Sequence, residues 1–255
     1  MFMISPELIE IFNKGARLAR EGKSEEALAE FDKILNPSKE RKDENKEKKI
    51  VITGEFLGVT MMRKAWILMD LERYEDAKKV FEDEVMEACL GQFEMGTLYD
   101  YFFAYGNTLG DLGDIKGMDD KLSRALGIAS EKLGDRERCF QCWSNLLILG
   151  LKAKDWEYLE KESVNALTFA ENTQDVVLRV KAAWHHALAL NGLGRTLEAK
   201  EEAGVLLTFI KSIGVDEFGK EIEEFITSLG TKEDAKPSTK GKTKTKKGIK
   251  GKKKK

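Results

Sequence analysis

Five stretches of this chain superpose without a gap: LAREGKSEEALAEFDKIL (18–35), LMDLERYEDAKKVFEDEV (68–85), LGDLGDIKGMDDKLSRAL (109–126), GLKAKDWEYLEKESVNAL (150–167) and LNGLGRTLEAKEEAGVLL (190–207). Each holds a helical run, a short polar turn and a second helical run opening near an acidic residue. The equivalent positions Ala27, Ala77, Met118, Leu159 and Ala199 are separated by 50, 41, 41 and 40 residues. Such a period marks a repeat architecture, in which one unit cannot bury its apolar face alone and neighbours must stack. The third copy of the turn, YGNTLGDLGDIKGM (105–118), has the glycines of a phosphate loop but not its G-K-[ST] ending, and no strand precedes it. The same turn recurs elsewhere without the glycines. Gly110 and Gly113 therefore end one helix, and Asp114 opens the next as an N-cap.

The units resemble the tetratricopeptide repeat (TPR), whose pattern is W-x₂-L-G-x₂-Y, then A-x₃-F, then P. The first unit supplies Gly15, Ala27-x₃-Phe31 and Pro37, and the second supplies Ala65, Leu68, Tyr74 and Ala77-x₃-Phe81. The third has Phe102-x₂-Tyr105-Gly106-x₂-Leu109, the fourth Trp143-x₂-Leu146-Leu147 with Trp156 in the turn, and the fifth Ala187-x₂-Leu190, Gly194 and Ala199. The spacing near 40, with ALGIASEKLGD (125–135) and ALTFAENTQD (166–175), is similar to the long-helix branch of the family. The resemblance implies an all-α fold: a right-handed superhelical solenoid of about five helix-turn-helix pairs over residues 6 to 213. Small residues at positions 15, 65, 106 and 187 would let paired helices approach closely. DEFGKEIEEFITSL (216–229) has Phe218, Ile222, Phe225 and Ile226 at helical spacing, as expected of a capping helix. The repeat domain is expected to span residues 1–230, with a solvated charged loop at 36–50.

Charge divides the chain. From residue 231 to 255 there are 12 lysines against Glu233 and Asp234, which leaves 31 basic and 43 acidic residues in the first 230. This polybasic tail has one isoleucine and no aromatic residue, so it cannot repay ordering entropy and is expected to be disordered. Lys246, Lys247, Lys250, Lys252, Lys253, Lys254 and Lys255 would neutralise phosphates without reading sequence. RNA or ribosomes, an anionic membrane surface and the acidic body of the same chain are all open as targets. No apolar run approaches the ~20 residues of a membrane span, and the N-terminus lacks the pattern of a signal peptide. Three cysteines do not make a disulfide framework. A cytoplasmic protein without integral membrane contact is expected.

Chemistry is sparse. Cys139-x-x-Cys142 with His185 and His186 offers ligand types that suit zinc, but within helices such residues pack a core more readily than they build a metal knuckle. Two adjacent histidines draw no acid–base network, and no nucleophile–base arrangement occurs. No enzyme, cofactor, metal or small-molecule substrate is expected.

The family resemblance implies instead that the first helix of each pair lines a concave groove. One row of inward positions is Asn13, Arg63, Ala104, Asn145, His185; three residues on it is Ala16, Trp66, Asn107, Ile148, Leu188; one residue before it is Phe12, Met62, Phe103, Ser144, Trp184. These are either ordinary surface and packing residues or a peptide-binding face. Of the tryptophans, Trp143 and Trp156 fall at packing positions, and Trp66 and Trp184 at groove positions. The five-residue carboxylate clamp of chaperone-binding relatives maps onto Phe103, Asn107, Asn145, Lys181 and His185, a degraded version with two of its cations missing. The expected function is a non-enzymatic adaptor that binds a peptide or helix of a partner protein in the groove, with the tail recruiting it electrostatically. The alternative is an RNA- or ribosome-associated protein whose tail is the main binding element.

Overall fold

The computed structural model describes residues 4–36, 54–214 and 218–233, and within them the chain forms twelve α-helices and no strand. Helices α1 (Pro6–Arg20) and α2 (Ser24–Leu35) form the first pair, and α3 (Gly54–Asp70) and α4 (Tyr74–Phe81) the second. A short α5 (Glu84–Cys89) and a 3₁₀ turn (Leu90–Gln92) lead into the third pair, α6 (Met95–Asp111) and α7 (Ile115–Gly127). That pair ends in a π-helical turn, Ile128–Leu133. The fourth pair is α8 (Arg136–Ala153) and α9 (Trp156–Thr173), the fifth α10 (Val176–Gly192) and α11 (Thr196–Ile213), and α12 (Gly219–Glu233) follows. The expected loop at 36–50 lies outside the described residues except for Asn36. So does the tail beyond Glu233, while α12 itself runs past the expected boundary at 230.

One turn geometry joins the helices of every pair. A residue in the left-handed region stands at Gly22, Glu72, Gly113, Lys154 and Gly194, at intervals that repeat those of the sequence alignment. At each turn the following amide reaches back to the carbonyl five residues earlier: Lys23 to Leu18, Arg73 to Leu68, Asp114 to Leu109, Asp155 to Gly150 and Arg195 to Leu190. This backbone pattern closes the orphan carbonyls of a helix end. Asp114 caps the next helix as expected, its carboxylate accepting from the Gly117 amide at 2.9 Å. Asp135, Asp155 and Asp175 cap α8, α9 and α10 in the same way. Gly110 does something other than expected: it lies within α6, where an added Cβ would come 2.5 Å from Leu149 and 2.8 Å from the Met118 sulfur. It is a close-approach residue rather than a terminator.

The repeat positions form the core. Ala27, Ala77, Met118, Leu159 and Ala199 are all fully buried, as are Ala65, Leu147 and Ala187 at the small-residue position of the first helices. At Gly106 a Cβ would meet Leu122 Cγ at 2.8 Å, so only glycine permits that helix approach. Polar ties repeat too: Lys14 Nζ–Glu30 in the first pair (2.7 Å) and His186 Nδ1–Glu202 in the fifth (2.6 Å) join equivalent positions. Each first helix packs on both helices of the preceding pair, whereas successive second helices make no comparable contact. The stack therefore closes on the side of α1, α3, α6, α8 and α10 and opens on the side of the second helices, which puts the first helices on the inner face. At the far end α12 covers the last pair, with Ile222 and Leu229 buried and Phe225 set edge-on against Trp184 at 5.2 Å. At the near end α1 turns Glu7, Glu10, Asn13 and Arg17 to solvent, the polar outer face a terminal repeat needs.

Candidate functional site: the inner face

The inner rows meet as the spacing requires, but their two ends differ in chemistry. In pairs three to five the polar side chains are closed on one another. Asn145 Nδ2 donates to Asn107 Oδ1 at 2.8 Å, and Lys181 Nζ donates to Ser144 Oγ at 3.2 Å while lying 5.2 Å over the Phe140 ring. Phe103 stacks on Tyr99 with ring centroids 5.5 Å apart. His185 is buried, its Nδ1 2.7 Å from the carbonyl of Lys181 one turn back. Burial lowers its pKa below the ordinary imidazole value, which outweighs the opposing effect of that hydrogen bond. Trp184 is buried as well, packed between α10 and α12, and its equivalent Met62 is buried in the main core. Of the groove residues expected in the fifth pair, Trp184 and His185 are therefore interior side chains, Trp184 because Phe225 of α12 supplies packing that the repeat alone does not. The Asn107–Asn145 bond leaves the Asn107 Nδ2 amide and the Asn145 Oδ1 unused by each other, and the one cation of the clamp, Lys181, is engaged.

Pairs one and two are open. Arg63 is exposed and lies with its guanidinium carbon 4.6 Å from the centre of the half-buried Trp66 ring. Beside them a cleft of about 390 Å³ separates α1 from α3, walled by Ala16, Ala19, Arg20, Arg63, Trp66 and Asp70 with the buried Phe31 and Ile67 also lining it. Asn13 is exposed and lines the neighbouring outer side of α1 with Lys14 and Arg17. Sequence reasoning did not include Arg20 and Asp70. They sit four residues beyond Ala16 and Trp66, one helical turn further along the same face, and positions 20, 70, 111 and 152 repeat the known intervals. The last two, Asp111 and Lys152, are bridged at 3.3 Å.

The other residues singled out by sequence are structural. Cys139 and Cys142 are buried beside Tyr99, Ala125 and Ala129, and burial raises both thiols, Cys142 to about 12. His185 and His186 contact α10 and α11 side chains and backbone, not these cysteines, and among the described residues no group of three or more histidine, cysteine or acidic side chains could hold a metal ion. Trp143 is in the core and Trp156 packs over Gly192. Among the described residues no helix is long and apolar enough to cross a membrane.

No family model matches the chain, and no curated protein matches its sequence. Solved structures do. The apo form of RapI is similar over 89% of this chain and 72% of its own, with a TM-score of 0.61 at 11% identity. The TPR-like repeats of a Podosopora anserina protein described as a kinesin light chain are similar over 92% of this chain and 100% of theirs (TM-score 0.54, 12% identity). A second structure of those repeats, carrying a single substitution, gives 0.55 over 82% and 96%, at 13% identity. At such identities the likeness speaks for the fold, and it agrees with the five paired helices, the recurring turn and the buried small residues described above: this chain folds as a TPR-like helical solenoid.

Proposed function

We propose that the protein is a non-enzymatic adaptor that binds a peptide or helical segment of a partner protein along its inner face. The observation that carries this reading is the open cleft between α1 and α3, where Trp66 stands half-covered and Arg63 exposed on a face whose fifth pair is packed shut. Concave faces of this kind pair an apolar wall with a few convergent polar groups, and the amide groups of Asn107 and Asn145 extend them along the groove. The tail adds electrostatic recruitment to a polyanion, since twelve lysines against two acids bring a salt-dependent, sequence-independent affinity.

The tail's charge also favours a second reading, in which RNA or ribosome binding through the tail is the main activity and the repeats only assemble it. Partner capture separates the two. Full-length protein and a variant with Lys246, Lys247, Lys250, Lys252, Lys253, Lys254 and Lys255 all changed to Gln are used as bait in native lysate, with and without nuclease. The adaptor reading expects the same proteins with both baits, surviving nuclease and lost when Trp66→Ala is added. A catch that disappears with the lysines or with nuclease supports the second reading instead.

A further inference from the structure

We infer that the α1–α3 end of the inner face recognises an acidic peptide segment, with a carboxylate held by Arg20 and Arg63 and a large apolar side chain laid on Trp66. The inference rests on the peptide-binding reading and names the chemistry of the peptide. Its basis is a local reversal of charge. The first 230 residues carry 43 acidic against 31 basic side chains, and most described arginines are occupied: Arg17, Arg73, Arg124, Arg138 and Arg195 each have a carboxylate within 4 Å. Arg20, Arg63, Arg136 and Arg179 have none that close among the described residues, and of these four only Arg20 and Arg63 line one cleft, with Arg63 acting on Asp100 from further off. Arg20 spends its Nε on the Ala16 carbonyl of its own helix at 3.3 Å, which leaves the terminal nitrogens directed to no acid, and Arg63 lies over the Trp66 ring.

An arginine stacked on an indole is oriented without losing its donors, so its planar fork stays available for a carboxylate. Ala16 and Ala19 keep the α1 wall low opposite that ring, and the cleft's volume of about 390 Å³ is at the lower end of ligand pockets, enough for one or two side chains rather than a domain. Asp70 at the cleft's rim sets a sign preference of its own: it disfavours a second carboxylate there and suits a neutral or basic residue. The fit is to an acid next to a bulky apolar residue, not to a uniformly acidic run.

The test is selection from a random twelve-residue peptide display library on the full-length protein at physiological salt, so that purely electrostatic capture by the tail is suppressed. Selected peptides are then synthesised and titrated against wild type, Arg63→Glu and Trp66→Ala, and remade with Asp→Asn and Glu→Gln. Arg63 is exposed, so its substitution leaves the fold intact. The inference expects peptides with an acid beside an aromatic or branched residue, each losing at least tenfold in affinity on Arg63→Glu, on Trp66→Ala and on amidation. Peptides that depend on Trp66 but bind equally well after Arg63→Glu and after amidation overturn the acidic preference and leave the groove reading standing. Peptides indifferent to both groove substitutions, or no selection at all, overturn both.

Discussion

Arg63 and His185 stand at the same place in the second and fifth pairs, yet one meets solvent and the other is buried. Their neighbours diverge likewise: Trp66 is half-covered, whereas Trp184 is wedged against Phe225 of α12. Truncation should separate them by kind. Trp184→Ala removes a buried ring from the last pair and is expected to cost about 3–5 kcal/mol in chemical denaturation. Trp66→Ala is expected to cost about 1 kcal/mol, as typical of single substitutions, and to act on partner binding instead. His185 makes a pH prediction. Its folded pKa lies below the ordinary value near 6.5, so above that pH both states are neutral and the group contributes nothing to the pH dependence. As pH falls below 6.5 the unfolded chain takes up the proton first, and stability drops until the folded pKa is reached. Melting temperatures of wild type and His185→Gln, compared between pH 7.5 and 5, should therefore converge in slope above 6.5 and diverge below, wild type falling more steeply. Parallel curves throughout would contradict the assignment. The pattern of the sequence placed Trp66 and Trp184 in neighbouring rows of one face, a turn apart in register; what covers Trp184 is decided by Phe225 of α12, some forty residues further on, which periodicity within one pair does not report.

At the scale of elements, the recurring turn was the most legible feature. Gly113 pointed to it, and the gapless alignment carried it to Gly22, Glu72, Lys154 and Gly194, of which Glu72 and Lys154 adopt the same left-handed conformation without being glycine. Adopting it costs an L-residue roughly 1–2 kcal/mol, partly offset by the lower unfolded-chain entropy relative to glycine. Lys154→Gly should raise the urea midpoint by the equivalent of about 0.5–1 kcal/mol, and Gly113→Ala should lower it by about 1 kcal/mol. The same sign for both would show that the turn is not what joins the pairs. The role of Gly110 was not legible, because a glycine near a helix end reads as a stop signal and only packing shows that the ends of Leu149 and Met118 stand where a Cβ would be. Helix α5 was missed for a related reason. Its six residues are too few for a periodic signal, and Asp83, whose carboxylate accepts from the Val85 amide, ends the run that the repeat alignment continued.

At the scale of the molecule, an inner face that is open at one end and closed at the other lies within an acidic body that carries a basic extension. The two binding elements should separate by salt. Contacts made by the tail weaken steeply with ionic strength, whereas a peptide held against Trp66 loses only its charge-assisted part. Of the candidate site, the spacing made the adjacency of the inner rows readable in advance, and Asn107–Asn145 and Ser144–Lys181 touch because of it. Which members of those rows remain available was not readable, since it depends on pairing between neighbours and on α12. The measurement that bears most directly on the account places a photo-crosslinking amino acid at Ala16 or Asn107 on the inner face, at Ala29 or Lys116 on the second helices, and at Lys250 in the tail, and compares the protein adducts formed in cell extract. The account predicts discrete protein adducts from positions 16 and 107 that are absent from 29 and 116 and persist after nuclease treatment. Adducts confined to positions 29, 116 or 250 would contradict it.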